Sequence, residues 1–271
     1  YWLARNYQRF SSDSLYITKR DLYMDTAIKY AKFALELWDK ISFRTKGFCL
    51  GLLAEFYLNS NPPESLKYHY AALKVFQADG NQLAVANTYH NMANIYINSM
   101  GDYSEALKCN FAALEIRKKM NHKYYIWASH IFIGNIYYRM GKYEQALNYA
   151  LLCFKDKNLN GKDTGGIYVS IGRCYAQLGN FDESLKYLNT GLKTFQQAGS
   201  NLGVSMANLY IGIRYVKTAS QLSSAESKEI YLNALEHLNK VLPFFPRETY
   251  PVLAEVYKKL GDFEKALEYK N

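Results

Sequence analysis

A chain of 271 residues, 49% of them hydrophobic, can bury a continuous core, and disorder is excluded as its main state. No run of about 18 consecutive apolar residues occurs, so the sequence contains no membrane-spanning helix. The formal net charge of +9 is compatible with an acidic partner, but direct nucleic-acid contact is not expected. The densest basic group, Arg117, Lys118, Lys119 and Lys123, falls at a predicted helix end, where cations oppose the helix dipole.

Along the chain a small residue followed three positions later by Tyr recurs as Ala54/Tyr57, Ala93/Tyr96, Gly134/Tyr137, Gly172/Tyr175, Gly212/Tyr215 and Ala254/Tyr257. The successive spacings are 39, 41, 38, 40 and 42 residues, and six phased copies predict a tandem array of helical hairpins. Ahead of them, Trp2 to Leu37 keeps only Ala27, Ala31 and Ala34 of the second-helix pattern and reads as a degenerate or capping hairpin within residues 1–40. Further hairpins follow at about 46–80, 86–120, 126–160, 164–198, 204–244 and a truncated 248–271, all in one array.

Within them Gly101-Asp102-Tyr103, Gly141-Lys142-Tyr143, Gly179-Asn180-Phe181 and Gly261-Asp262-Phe263 read as helix stop, turn and helix start. A small residue then follows at Ala106, Ala146, Ser184 or Ala266, letting the second helix approach the first. About ten extra residues, Lys217 to Glu226, predict an extended helix end plus a mobile loop. The chain opens on Tyr1 rather than Met and stops at Asn271 soon after Ala266, so the natural chain is expected to extend at both ends.

This pattern of small residue, Tyr and Gly-x-aromatic-x-x-small resembles the tetratricopeptide repeat family over nearly the whole chain. The period near 40 is similar to the longer variants of kinesin light chain and bacterial Rap-type peptide receptors. The resemblance implies an all-α, right-handed superhelical solenoid without catalytic activity, whose concave groove, lined by first helices, binds a protein or peptide.

On that register the position after the small residue faces the groove, placing Asn94, Asn135 and Arg173 there, with Glu55 and Ile213 flanking. An amide both donates and accepts, so Asn94 and Asn135 suit a backbone clamp, as the resemblance implies. Asn87, His90, Asn91, Asn98, Tyr138, Arg139, Gln177 and Lys217 complete a polar, amphoteric wall. The family's carboxylate clamp, built on paired Lys and Asn, is not matched residue by residue. A second expectation makes the chain the input domain of a bacterial signalling or transcriptional regulator, with an effector outside residues 1–271.

Other motifs carry less. Asp156 to Gly161 mimics the opening of a calcium loop, but the twelfth position is Ile167 rather than Glu. Gly161 to Gly166 lacks the spacing of a phosphate-binding loop. The five histidines form neither an HExxH motif nor a zinc spacing, so no metal or cofactor is expected. Cys49, Cys109, Cys153 and Cys174 sit in apolar helical patterns without CxxC pairing, which favours a cytoplasmic address and leaves a periplasmic one open.

Overall fold

The computed structural model describes residues 20–37, 42–155 and 161–270. Among the described residues there are thirteen α-helices: α1 (Arg20–Glu36), α2 (Phe43–Tyr57), α3 (Pro62–Ala78), α4 (Gln82–Ile95), α5 (Tyr103–Lys119), α6 (Lys123–Arg139), α7 (Tyr143–Leu152), α8 (Gly161–Gln177), α9 (Phe181–Gln197), α10 (Asn201–Ala219), α11 (Ser224–Asn239), α12 (Pro246–Leu260) and α13 (Phe263–Glu268). No strand occurs among the described residues, and no helix there is long and apolar enough to cross a membrane. The chain forms two compact units, residues 1–136 and 137–271, with the boundary inside α6.

In unit 1, α2 pairs with α3 and α4 with α5, while α1 packs on α2 through Ala27 and Ala31, both fully buried against Leu52, Leu53 and Phe56. In unit 2 the pairs are α8 with α9, α10 with α11 and α12 with α13. The hairpins close as the sequence dictates. Gly101, Gly141, Gly179 and Gly261 take left-handed φ of 68°, 74°, 81° and 85°. Side chains then cap the next helix: Asp102 accepts from the Glu105 amide at 3.0 Å and Asp262 from the Lys265 amide at 3.1 Å.

The small residues are where helices touch. Ala54, Ala93 and Gly172 are buried, and a Cβ added to Gly172 would lie 2.7 Å from Leu188 Cγ and 3.0 Å from the Ser184 carbonyl oxygen. The paired Tyr has a partner too. Tyr57, Tyr137, Tyr175 and Tyr257 stack on Tyr68, Tyr149, Tyr187 and Tyr269 with centroids 5.5–5.7 Å apart, and Tyr215 meets His237 as a tilted pair at 5.7 Å. Each partner stands three residues after the small residue of its second helix.

One copy departs. From Ala93 to Gly101 there is one residue more than from Gly172 to Gly179, and Tyr96–Met100 winds as a π-turn that absorbs it. Cys109 holds the stacking position on α5, and Tyr96 instead shares a 2.9 Å hydrogen bond with the Tyr70 hydroxyl.

Three features singled out in the sequence take definite form. Of the extra residues after Tyr215, Lys217 to Ala219 extend α10 and Ser220 to Ser223 connect it to α11, which starts at Ser224. Arg117 does not join the surface cations, because its stem lies on the inner face of α5 and it is only 2% exposed. Gly161 to Gly166 is the first turn and a half of α8, where Gly165 lies against the Phe195 ring. The calcium-like residues 156–160 lie outside the described residues.

Candidate functional site

Unit 1 opens a cleft of about 290 Å³ between α2 and α4, with α3 as its floor. Glycine makes the room. A Cβ at Gly47 would stand 2.3 Å from the Phe76 ring, so that glycine seats the floor, whereas a Cβ at Gly51 would meet nothing within 4 Å. Phe48, Leu52 and Phe76 supply apolar wall, and Glu55, Asn87 and Asn91 supply polar groups.

The Asn87 amide is held from behind. Arg117 Nη2 donates to Asn87 Oδ1 at 3.1 Å, Nη1 donates to Ser129 Oγ at 2.7 Å, and the guanidinium lies 5.3 Å from the Tyr125 ring centroid. With Arg117 donating to Oδ1, Asn87 keeps two amide N–H groups as donors. Burial pulls the Arg117 pKa below the usual guanidinium value, yet its named partners are neutral. His69, 4% exposed, also lines the cleft; burial lowers its pKa to about 4, so it is neutral at pH 7.

A second polar cluster lies wholly in unit 2. The Arg173 guanidinium carbon sits 4.3 Å from the ring centroids of both Tyr138 and Tyr210. Gln177 Nε2 donates to the Tyr138 hydroxyl at 3.0 Å, and Lys217 Nζ donates to Gln177 Oε1 at 2.7 Å. Helices α6, α8 and α10 therefore each contribute to one chain of contacts, because Arg173 and Gln177 are one turn apart on α8.

The residues expected to form one wall lie in two separate places. Asn87, Asn91 and Glu55 line the unit 1 cleft, while Tyr138, Arg173, Gln177 and Lys217 form the unit 2 cluster. Asn94 is half-buried and donates to the His90 carbonyl of its own helix at 3.4 Å. Asn98, Asn135 and Arg139 are exposed, and Ile213 is packed in the core around Leu238. His90 turns inward onto Phe132, with centroids 4.5 Å apart, and burial followed by the Arg117 charge lowers its pKa.

Sequence reasoning missed His69, Arg117, Ser129 and Tyr210. The Gly47-x-x-x-Gly51 spacing, which places two missing side chains on one helix face, was the legible sign of the cleft.

Chemical reactivity is low where it can be read. All four cysteines are buried thiols outside any disulfide, and burial pushes Cys109 and Cys174 up to about 11 and Cys153 to about 12. Among the described residues no group of three or more His, Cys, Asp or Glu side chains could hold a metal ion.

Two family models described as tetratricopeptide repeat match the chain, one over residues 48–119 and the other over 128–155, 165–196 and 248–269. Together they cover more than half of it. No curated protein sequence matches. Among solved structures, the apo form of RapI is similar with TM-score 0.68 and 19% identity, over 97% of this chain and 94% of that one. A Rap protein complexed with Competence and Sporulation Factor matches with TM-score 0.61 and 18% identity, over 97% and 72%. A signal transduction ATPase with a tetratricopeptide repeat sensor, from Pyrococcus horikoshii, matches with TM-score 0.66 and 18% identity, over 98% of this chain but 43% of that one. At these identities the likeness is one of fold.

Proposed function

We propose that this chain, which belongs to the tetratricopeptide repeat family, is a non-catalytic scaffold or sensor that binds a partner polypeptide. The unit 1 cleft carries this reading. It is a partly apolar recess between the first helices of two successive hairpins, with Asn87 and Asn91 one turn apart on its wall. Such a recess takes a side chain, while the amides pair with the adjoining peptide backbone. The similar Rap protein that was solved with Competence and Sporulation Factor supports a ligand-binding role for arrays of this fold.

The test fills the recess. Gly51→Leu projects an isobutyl group into open cleft space and replaces a helix-interior glycine, so it blocks the site without unfolding the chain. Wild type, Gly51→Leu, Asn87→Ala/Asn91→Ala and Asn94→Ala/Asn135→Ala/Arg173→Ala are used in parallel to capture partners from native extract. A partner kept by wild type and lost from Gly51→Leu is the expected result; equal capture by all four sinks the cleft assignment.

A second reading makes the chain the input module of a bacterial signalling or transcriptional regulator. It is favoured by the sensor-bearing ATPase, of which this chain spans less than half. Sequencing the gene beyond Asn271 tests it, and a stop codon there together with no upstream effector domain removes it.

A further inference from the structure

The unit 1 cleft is lined from α2, α3 and α4, whereas Arg117 comes from α5 and Ser129 and Tyr125 from α6. Asn87 stands between the two sides: it lines the cleft and also takes the 3.1 Å hydrogen bond from Arg117 Nη2. A guanidinium only donates, so the amide atom turned to it has to be Oδ1; a flipped amide would set N–H against N–H. Nor can Arg117 follow a flip. It is 2% exposed, its Nη1 donates to the fully buried Ser129 Oγ at 2.7 Å, and its guanidinium lies 5.3 Å from the Tyr125 ring centroid. The polarity of one group on the cleft wall is therefore set from outside the cleft.

This arrangement carries a desolvation penalty. A buried guanidinium loses its hydration, and the groups that Arg117 touches, Asn87, Ser129 and the Tyr125 ring, are all neutral. A methionine in its place would pack without that penalty, so packing alone does not call for arginine. In return the cation polarises the amide and strengthens its remaining donors. The neighbouring amides lack such control. Asn94 donates to the His90 carbonyl of its own helix, and Asn91, one turn from Asn87, has no hydrogen bond among the described residues.

We propose that Arg117 is a positioning residue for the cleft: by holding Asn87 Oδ1 it presents the Asn87 N–H groups to a bound polypeptide, so that this point of the wall accepts a backbone carbonyl and rejects an N–H. The inference rests on the polypeptide-binding reading. It adds the polarity of one contact and the residue that sets it.

Asn87→Asp separates binding from folding. The replacement keeps the oxygen that faces Arg117 and gives the buried cation a counter-ion, while exchanging the N–H groups for a second oxygen. The probe is a pool of labelled random nonapeptides without Asp, Glu, Lys, Arg or His, acetylated and amidated at their ends, so that no peptide charge answers the added carboxylate. Retention by the full 271-residue chain is measured beside its urea midpoint for wild type, Gly51→Leu, Asn87→Asp, Arg117→Met and Arg117→Lys.

Wild type is expected to retain the pool and Gly51→Leu to lose it. Asn87→Asp should unfold at higher urea yet retain the pool about tenfold less tightly, because a peptide carbonyl is left unpaired against an oxygen. Arg117→Met should weaken retention as well, since the amide is released, and Arg117→Lys should restore part of it through a single donor to Oδ1. A role confined to folding predicts instead that retention follows the urea midpoints. Wild-type retention in Asn87→Asp or in Arg117→Met overturns the proposal and leaves polypeptide binding in the cleft standing, as does an Asn87→Asp midpoint below that of wild type. A pool retained equally by wild type and Gly51→Leu, or by neither, refutes the cleft reading and the proposal with it.

Discussion

Two glycines in helix interiors, Gly51 and Gly172, make a matched pair for testing whether close approach holds the hairpins together. Replacing either by Ala improves helix propensity by about 1 kcal/mol. At Gly51 nothing else changes, since the new Cβ meets no atom within 4 Å. At Gly172 the Cβ would press on Leu188 Cγ at 2.7 Å and on the Ser184 carbonyl at 3.0 Å, and Leu188 is fully buried. Overpacking of this kind costs about 1–3 kcal/mol, so with about 2 as the central figure Gly172→Ala should be destabilised by about 1 kcal/mol net. The two variants then differ by about 2 kcal/mol despite identical chemistry. Urea unfolding followed by circular dichroism at matched protein concentration gives the comparison, and trimming the obstruction in Gly172→Ala/Leu188→Ala should show positive coupling. Equal midpoints for Gly51→Ala and Gly172→Ala would refute the argument that Gly172 is a contact point.

Acid should weaken the fold through His69: its folded pKa is about 4 against an ordinary 6.5, so the unfolded chain binds the proton more readily between those values. Stability from this group is full above pH 6.5 and falls toward pH 4 by at most about 3 kcal/mol, and His69→Gln should flatten the urea-midpoint profile over that range. A profile unchanged in His69→Gln would place the acid sensitivity elsewhere, His90, His130 and His237 being lowered by burial too. The four buried thiols should resist a disulfide reagent in the native chain and all react in denaturant; fast native labelling of Cys153 would contradict its burial. Arg117→Met should be at least as stable as Arg117→Lys, because Lys keeps a buried charge while losing the fork that reaches both Asn87 and Ser129. A more stable Lys variant would show that the charge itself is needed.

Much of the architecture was legible because hairpin packing imposes residue types that local reading detects. A small residue, a tyrosine three positions on and a glycine able to adopt positive φ are each forced by contact or turn geometry, and they recur. The stacking partner of each tyrosine was equally regular at Tyr149, Tyr187 and Tyr269 but lay in the neighbouring helix, where spacing along one helix does not reveal it. The wall of candidate groove residues was legible by helix face and not by environment. Facing alone does not distinguish Asn87, fixed by a buried arginine, from Asn135, which is exposed. Nor does it show that Arg173 lies between two rings, since Tyr138 and Tyr210 come from helices one repeat away on either side. Arg117 misled because a basic run at a helix end looks the same whether its first member points out or in.

The π-turn at Tyr96–Met100 bears on how this chain is to be compared with others. By taking up one surplus residue within a single wide turn, it leaves Asp102 capping the next helix as Asp262 does. An alignment that assumes a fixed distance between the repeat's marker positions will slip by one residue here and pair Gly101 with the capping positions Asn180 and Asp262. Registering repeats on their glycine stops and second-helix small residues, rather than on residue count, avoids that error.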